Sequence, residues 1–277
     1  MVFEEIINTM RLQRRPLYAL VLGLVYTPIA FFTAFVFFRE TMSIAMIFLI
    51  SLLAVPSLIL LLSVEETRER QEGARNFFHN HKDIFEVYLF LFVGIFISYL
   101  TTLWITGMYG LPLESVSGEQ LNVIGEIISE DKINDFNVNG LLHALRIFSV
   151  NIGVALLLFI LSLFYGAGSI FLVAWNASVF STFIYTTITN ISTGMQHSLV
   201  LGGIFLIYVI PEVAGFLLAA IAGGVVSKAV VLETFMSFQF RNVLRDAVVL
   251  LFFSFALLFV AAFLESYVGV NAIKALV

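Results

Sequence analysis

The chain has 277 residues, of which 60% are hydrophobic and 12% charged, and its mean hydropathy is +1.02. That excludes a water-soluble fold, since soluble domains are about half apolar and about a quarter charged. The net charge of −5 is modest, no basic patch points to nucleic acid, and the absence of cysteine excludes disulfides, thiolate metal sites and cysteine nucleophiles.

A hydrocarbon core of ~30 Å is crossed by roughly 20 apolar residues. On that measure the chain reads as an all-α, polytopic membrane protein of about seven transmembrane helices plus short interfacial helices. Leu17 to Phe38 and Met42 to Ser63 are apolar runs separated by Arg39, Glu40 and Thr41, so they predict an antiparallel hairpin, and Pro56 is expected to kink its second arm. The basic Arg11, Arg14 and Arg15 before the first run imitate a signal peptide. The run is too long for one, and no small-residue cleavage site follows. From Glu65 to Asp83 acidic and basic residues mix at spacings that allow i,i+4 pairs, which predicts a solvated helix continuing out of the second span. The third span is expected from about Ile84 to Thr106. In the long connection Leu111 to Gly140, Ser117-Gly-Glu-Gln120 has the capping-box form, and Leu121, Ile124, Ile127 and Ile128 recur on one helical face. A short helix lying on the membrane or capping the bundle follows from that pattern.

The fourth span, about Leu141 to Tyr165, and the fifth, Gly168 to Ile188, are joined by Gly166-Ala167, which requires a tight turn. His197 to Ser227 is 31 residues, ~46 Å as one helix and too long to stand upright. It must tilt, break or protrude, and Gly202, Gly203 and Pro211 are the expected break points. Lys228 to Asp246 carries an apolar stripe of Leu232, Phe235, Met236 and Val243 that suits an interfacial helix, and Ala247 to Leu264 is the seventh span. The chain thus reads as one membrane domain. Its parts are a hairpin to residue 63, a charged segment 64–83, a third span with an acidic loop 84–140, a core 141–228, and a last helix and span 229–277.

Lysine and arginine divide ten to four between alternate sides, which predicts a cytoplasmic N-terminus and an external C-terminus in the cell membrane.

Between Ile147 and Ser227, 81 residues, Glu212 is the only Asp, Glu, Lys or Arg. Centred in the bilayer it lies near the midplane, where an ionised carboxylate costs at least ~2.5 kcal/mol. Its expected companions are Asn176 and Asn151, since a neutral carboxyl can donate to an asparagine oxygen. Two readings stand side by side: a structural network fixing helix packing, or a role in moving a proton or ion or in binding a polar ligand. Both asparagines also suit plain interhelical packing. Gly166, Gly168, Gly202, Gly203 and Gly215, with Gly223 and Gly224, are expected to permit close helix packing, making spans four to six the tightly packed half. His79 and His81 with Asp83 and Glu86 only loosely imitate a metal cluster, because residues two apart on a helix point in different directions. No P-loop, serine elbow, zinc helix or dinucleotide fingerprint is present.

The stretch from Asn151 through Tyr165-Gly-Ala-Gly-Ser to Trp175-Asn176-Ala-Ser resembles the core of the stage II sporulation protein M (SpoIIM) family. There an asparagine opens a span, a glycine-rich break follows, and a second asparagine stands in the next span. The family's glutamate opening a small-residue segment is similar to Glu212 followed by Val-Ala-Gly-Phe-Leu-Leu-Ala-Ala-Ile-Ala-Gly-Gly. The resemblance covers roughly Arg146 to Lys228. It departs at Ala177, where the family usually has glycine, and in lacking a histidine-glycine just before the glutamate; His197 lies fifteen residues earlier. It implies a polytopic membrane protein of bacteria or archaea. The namesake helps assemble a membrane complex with cell-wall hydrolases during engulfment, and many relatives occur without sporulation. The expectation is a non-enzymatic scaffold without cofactors, whose partners are the lipid bilayer, other membrane proteins and further copies of itself. The alternative is a channel or transporter using Glu212 with Asn151 and Asn176.

Overall fold

The computed structural model describes residues 16–72, 77–130, 140–165, 168–191, 194–232 and 237–269. Among them are eight α-helices and no strand: α1 (Leu17–Phe37), α2 (Met42–Glu72), α3 (Phe77–Met108), α4 (Leu113–Glu130), α5 (Gly140–Tyr165), α6 (Gly168–Ile191), α7 (Met195–Leu232) and α8 (Phe238–Leu264). A π-helical turn, Glu265–Gly269, extends α8. Seven of the eight helices, all but α4, are long and apolar enough to cross a membrane. Their order follows the apolar runs, because run length is what a bilayer-crossing helix needs.

The helices decide what the sequence left open and correct one expectation. The long segment is one helix of 38 residues, unbroken at Gly202, Gly203 or Pro211, ~57 Å long at 1.5 Å per residue. Proline is tolerated inside a membrane helix because neighbouring groups take over the carbonyl it frees. Likewise α2 continues through Pro56 to Glu72. No separate interfacial helix spans Lys228 to Asp246, since α7 runs on to Leu232 and α8 starts at Phe238, its N-cap Ser237 accepting from the Phe240 amide at 3.1 Å. Val243 is buried rather than interfacial, because it lies in phase with Ala247, Leu250, Ser254 and Leu258 on the buried face of α8. The Gly166-Ala167 turn lies outside the described residues, and Gly168 opens α6.

Two glycine-mediated crossings organise the bundle. At the first, α1 meets α3 backbone to backbone: a Cβ on Gly23 would stand 2.6 Å from the Ile95 amide nitrogen and 2.7 Å from the Leu91 carbonyl, and one on Gly94 would collide with the Leu20 carbonyl. Tight packing is therefore not confined to spans four to six. At the second, α5 meets α7 where a Cβ on Gly223 would collide with the Phe159 carbonyl, and Ser162 Oγ donates to the Ala220 carbonyl at 2.7 Å. Gly215 seats Leu258 of α8, with Ser254 Oγ donating to the Gly215 carbonyl at 2.7 Å. Gly202 and Gly203 correct the expectation in the other direction, because nothing lies within 4 Å of a Cβ at either. These contacts make α5 and α7 parallel and α8 antiparallel to both. The middle helix α7 is the most enclosed span, 61% of its membrane window being buried against 22% for α5.

Helix α4 caps the end where α3 finishes and α5 begins. It enters the bundle instead of lying on it: Val116, Ser117 and Gln120 are fully buried and Ile124 is 7% exposed.

Candidate functional site

On α7, Tyr208 and Glu212 are one turn apart and share the face turned to the bundle interior; they are 5% and 8% exposed. On α5, Asn151 is 7% exposed and reaches the same place. Its side chain acts on the Glu212 carboxyl. The contact is loose, because the buried Asn151 Nδ2 has no acceptor at hydrogen-bonding geometry. From the far end of α8 comes Glu265, half-buried, close enough to act electrostatically on both Glu212 and Tyr208. No Lys, Arg or His pairs with Glu212 among the described residues.

The turn that carries Glu265 is pinned on two sides. Ser266 Oγ donates to the Gly140 carbonyl at 2.8 Å and lies 3.2 Å from His143 Nδ1, fixing the turn to the start of α5. The ring of Tyr208 packs against Gly269, where a Cβ would stand 3.0 Å from Cε1. π-Helical turns recur at functional sites because the wider turn re-aims side chains. Here the π-helical turn carries an acid towards a neighbouring helix.

On the other side of Glu212 the contact among α5, α7 and α8 is apolar. Ala155 and Leu158 of α5, Phe216, Ala219 and Ala220 of α7 and Leu258 of α8 form one buried apolar layer. The serines at that level, Ser162 and Ser254, are spent on backbone carbonyls.

Of the residues anticipated from sequence, Glu212 and Asn151 are brought together and Asn176 is not joined to them by a hydrogen bond. The Asn176 Nδ2 donates to the Leu172 carbonyl of its own helix at 2.8 Å. Its side chain borders a cavity of about 10 Å³ with Leu158, Val213 and Phe216, at the lower limit for one water. Pro211 stays helical, Gly215 packs closely, Gly202 and Gly203 are open, and Gly166 is outside the described residues. His79 and His81 have no described side chains, Lys82 pairs with Glu86 at 3.5 Å, and no group of three metal-ligating residues occurs among the described residues.

Sequence reasoning missed four residues of weight. Glu265 and Tyr208 join Glu212, which is therefore not a lone acid. Asp246 is 2% exposed near the start of α8, with its Oδ1 3.6 Å from Arg245 Nε. Gln120 holds a second polar cluster: Oε1 accepts from Ser43 Oγ at 2.7 Å, Nε2 donates to Ser178 Oγ at 3.1 Å, and Ser43 Oγ also receives the Glu119 amide at 3.3 Å. The capping box expected from Ser117 and Gln120 is replaced by these long-range bonds. Ser117 takes non-helical angles of −137° and 30°, the Tyr99 hydroxyl donates to the Val116 carbonyl at 3.0 Å, and Thr182 donates to Ser117 Oγ at 3.2 Å. An available signal was the run of small polar residues at the starts and middles of apolar spans, Ser43, Ser178 and Thr182 among them.

A family model described as Stage II sporulation protein M matches residues 87–269. The match takes in well over half of the chain, including α4, all of α5 to α8, the Glu212 cluster and, Ser43 apart, the Gln120 cluster. No curated protein and no solved structure matches the chain.

Proposed function

Since this chain belongs to the stage II sporulation protein M family, we propose that it is a non-enzymatic scaffold that organises membrane-protein partners or membrane shape. The observation that carries this reading is the closed apolar layer beneath Glu212, where Gly223 and Gly215 bring α5, α7 and α8 into direct contact. A conduit needs a polar or hydrated route, and glycine-sealed helix crossings oppose one. The uninterrupted α7 points the same way, because transport sites characteristically use broken helices. The bilayer is its surrounding medium. The ten-to-four division of basic residues favours the α4 end as external, with the N-terminus in the cytoplasm. Open apolar faces on α1 and α5 suit partner helices or further copies of the chain.

A second reading, a channel or transporter using Glu212 with Asn151 and Asn176, is favoured by the acid from α8 that approaches Glu212. Reconstituted vesicles separate the two. The scaffold reading expects no flux of protons, alkali ions or small solutes above protein-free vesicles, together with specific membrane proteins co-purifying from native membranes. Flux that disappears in Glu212→Gln overturns it.

A further inference from the structure

Helix α8 presents one outward stripe, Phe238, Arg241, Arg245, Val248 and Phe252, each three or four residues from the next and every member exposed. Two arginines therefore stand one turn apart on a face that is otherwise apolar. Arg245 meets the buried Asp246 through Nε, 3.6 Å from Oδ1, and its terminal nitrogens remain available to a second anion. No carboxylate pairs with Arg241 among the described residues. The stripe passes from headgroup to hydrocarbon between Arg245 and Val248. Twenty residues separate Arg245 from Glu265 at the other end of α8, ~30 Å of helix, which matches a hydrocarbon core of ~30 Å. Helix α5 marks the same level independently. It runs antiparallel to α8, with Phe148 against Phe259 at 5.3 Å between ring centroids, and Tyr165 follows Phe148 by the same 17 residues that separate Asn242 from Phe259. Tyr165 is exposed there, and tyrosine gathers where headgroups meet hydrocarbon.

We infer that Arg241 and Arg245 bind the phosphate of an anionic phospholipid in the leaflet opposite α4, with the lipid's acyl chains lying along Val248 and Phe252. Guanidinium forks match phosphate oxygens in pairs, and side chains four apart on a helix are neighbours, about 5–6 Å between Cβ atoms, close enough to share one headgroup. The occupant has to be anionic beside the arginines and apolar one turn further into the bilayer. A phospholipid is both in one molecule, whereas inorganic phosphate would leave Val248 and Phe252 unmatched. A zwitterionic lipid carries its own cation next to the phosphate and gains less from the pair. This inference does not depend on the scaffold reading. Flux would overturn the scaffold and leave the lipid site standing, whereas loss of the lipid preference would leave the scaffold untouched.

The test uses the full chain purified in detergent, offered phosphatidylglycerol and phosphatidylcholine of the same acyl composition in equal amounts, with bound lipid counted by native mass spectrometry. The wild type is expected to retain phosphatidylglycerol severalfold over phosphatidylcholine. Arg241→Gln and Arg245→Gln should each lower that preference about fivefold, the scale of one basic residue at an anionic surface, and the double variant should abolish it. Both side chains are exposed, so neither change disturbs the core. Arg39→Gln is the control, because Arg39 is an exposed arginine at the opposite end of the bundle, over the Phe35 ring at 4.7 Å; it should leave the preference as it is. Equal retention of the two lipids by the wild type overturns the inference, as does a preference that the α8 variants leave intact or that Arg39→Gln removes equally. Displacement of phosphatidylglycerol by inorganic phosphate at the lipid's own concentration overturns the lipid as occupant. A wild type indifferent to lipid charge that holds a membrane protein which the double variant releases assigns the stripe to an acidic partner helix and overturns it as well.

Discussion

The two polar clusters of this bundle are built on opposite principles. Around Gln120 every group is neutral and the bonds run across four helices: Ser43 from α2, Tyr99 from α3, Ser117 and Gln120 from α4, and Ser178 and Thr182 from α6. Around Glu212 the groups are acidic, the asparagine contact is loose, and a buried amide nitrogen has no acceptor. A satisfied neutral network in a membrane interior has nothing left to bind, so its work is to fix where α4 enters. An acidic cluster buried in the same bundle carries a cost that the neutral one does not. The difference predicts that stability resides in the first cluster and responsiveness in the second.

The largest effect is expected from Gln120→Leu. The leucine fills similar space but leaves the Ser43 hydroxyl without its acceptor and Ser178 without its donor. Unsatisfied buried groups cost about 1–3 kcal/mol, and the variant is expected near 2 kcal/mol within that range. Thermal unfolding in detergent, followed by circular dichroism, should show a clear drop in melting temperature. An unchanged melting temperature would mean that α4 is held by its apolar face alone. Tyr99→Phe comes next, because it removes the hydroxyl that serves the Val116 carbonyl at the non-helical Ser117. Membrane-interior hydrogen bonds are worth about 0.6–2 kcal/mol, so a loss of about 1 kcal/mol is expected. Limited proteolysis within α4 should accelerate in parallel, and protease resistance equal to wild type would show that Ser117 is stabilised without Tyr99.

How far these clusters could be read in advance depends on the kind of signal each leaves. Span number followed from hydropathy, because bilayer thickness imposes a length that one-dimensional sequence displays directly. Glu212 stood out as a charge in an uncharged stretch, and Asn151 as a polar residue in an apolar run. Glu265 did not, since it sits just beyond Leu264 where an apolar run ends and charges are ordinary; only the antiparallel crossing of α7 and α8 brings it to Glu212. Gln120 misled for a related reason. Its spacing from Ser117 imitates a local capping box, while its actual partners lie 77 and 58 residues away. Whether the 31-residue run breaks at Gly202, Gly203 or Pro211 or crosses as one helix stayed open in the sequence because helix propensity is a local quantity, and α7 runs unbroken through all three. Gly23 and Gly94 drew no attention, yet their crossing is nearly as close as that at Gly223 in the C-terminal half.

Glu212→Gln is the smallest change expected in stability and the one that weighs most in the comparison. Glutamine keeps the length and shape of the side chain, and its amide can still meet Asn151. What disappears is the capacity to ionise, and with it the penalty that a buried charge and the repulsion from Glu265 would impose. Removing an uncompensated buried charge is neutral or stabilising when packing is preserved, so the melting temperature should equal or exceed that of the wild type, by about 0–1 kcal/mol on the usual scale of such changes. A fall as large as that of Gln120→Leu would place Glu212 among the structural groups and dissolve the contrast between the clusters. A maintained or raised melting temperature would instead mean that the chain carries this acid at a cost to its own stability.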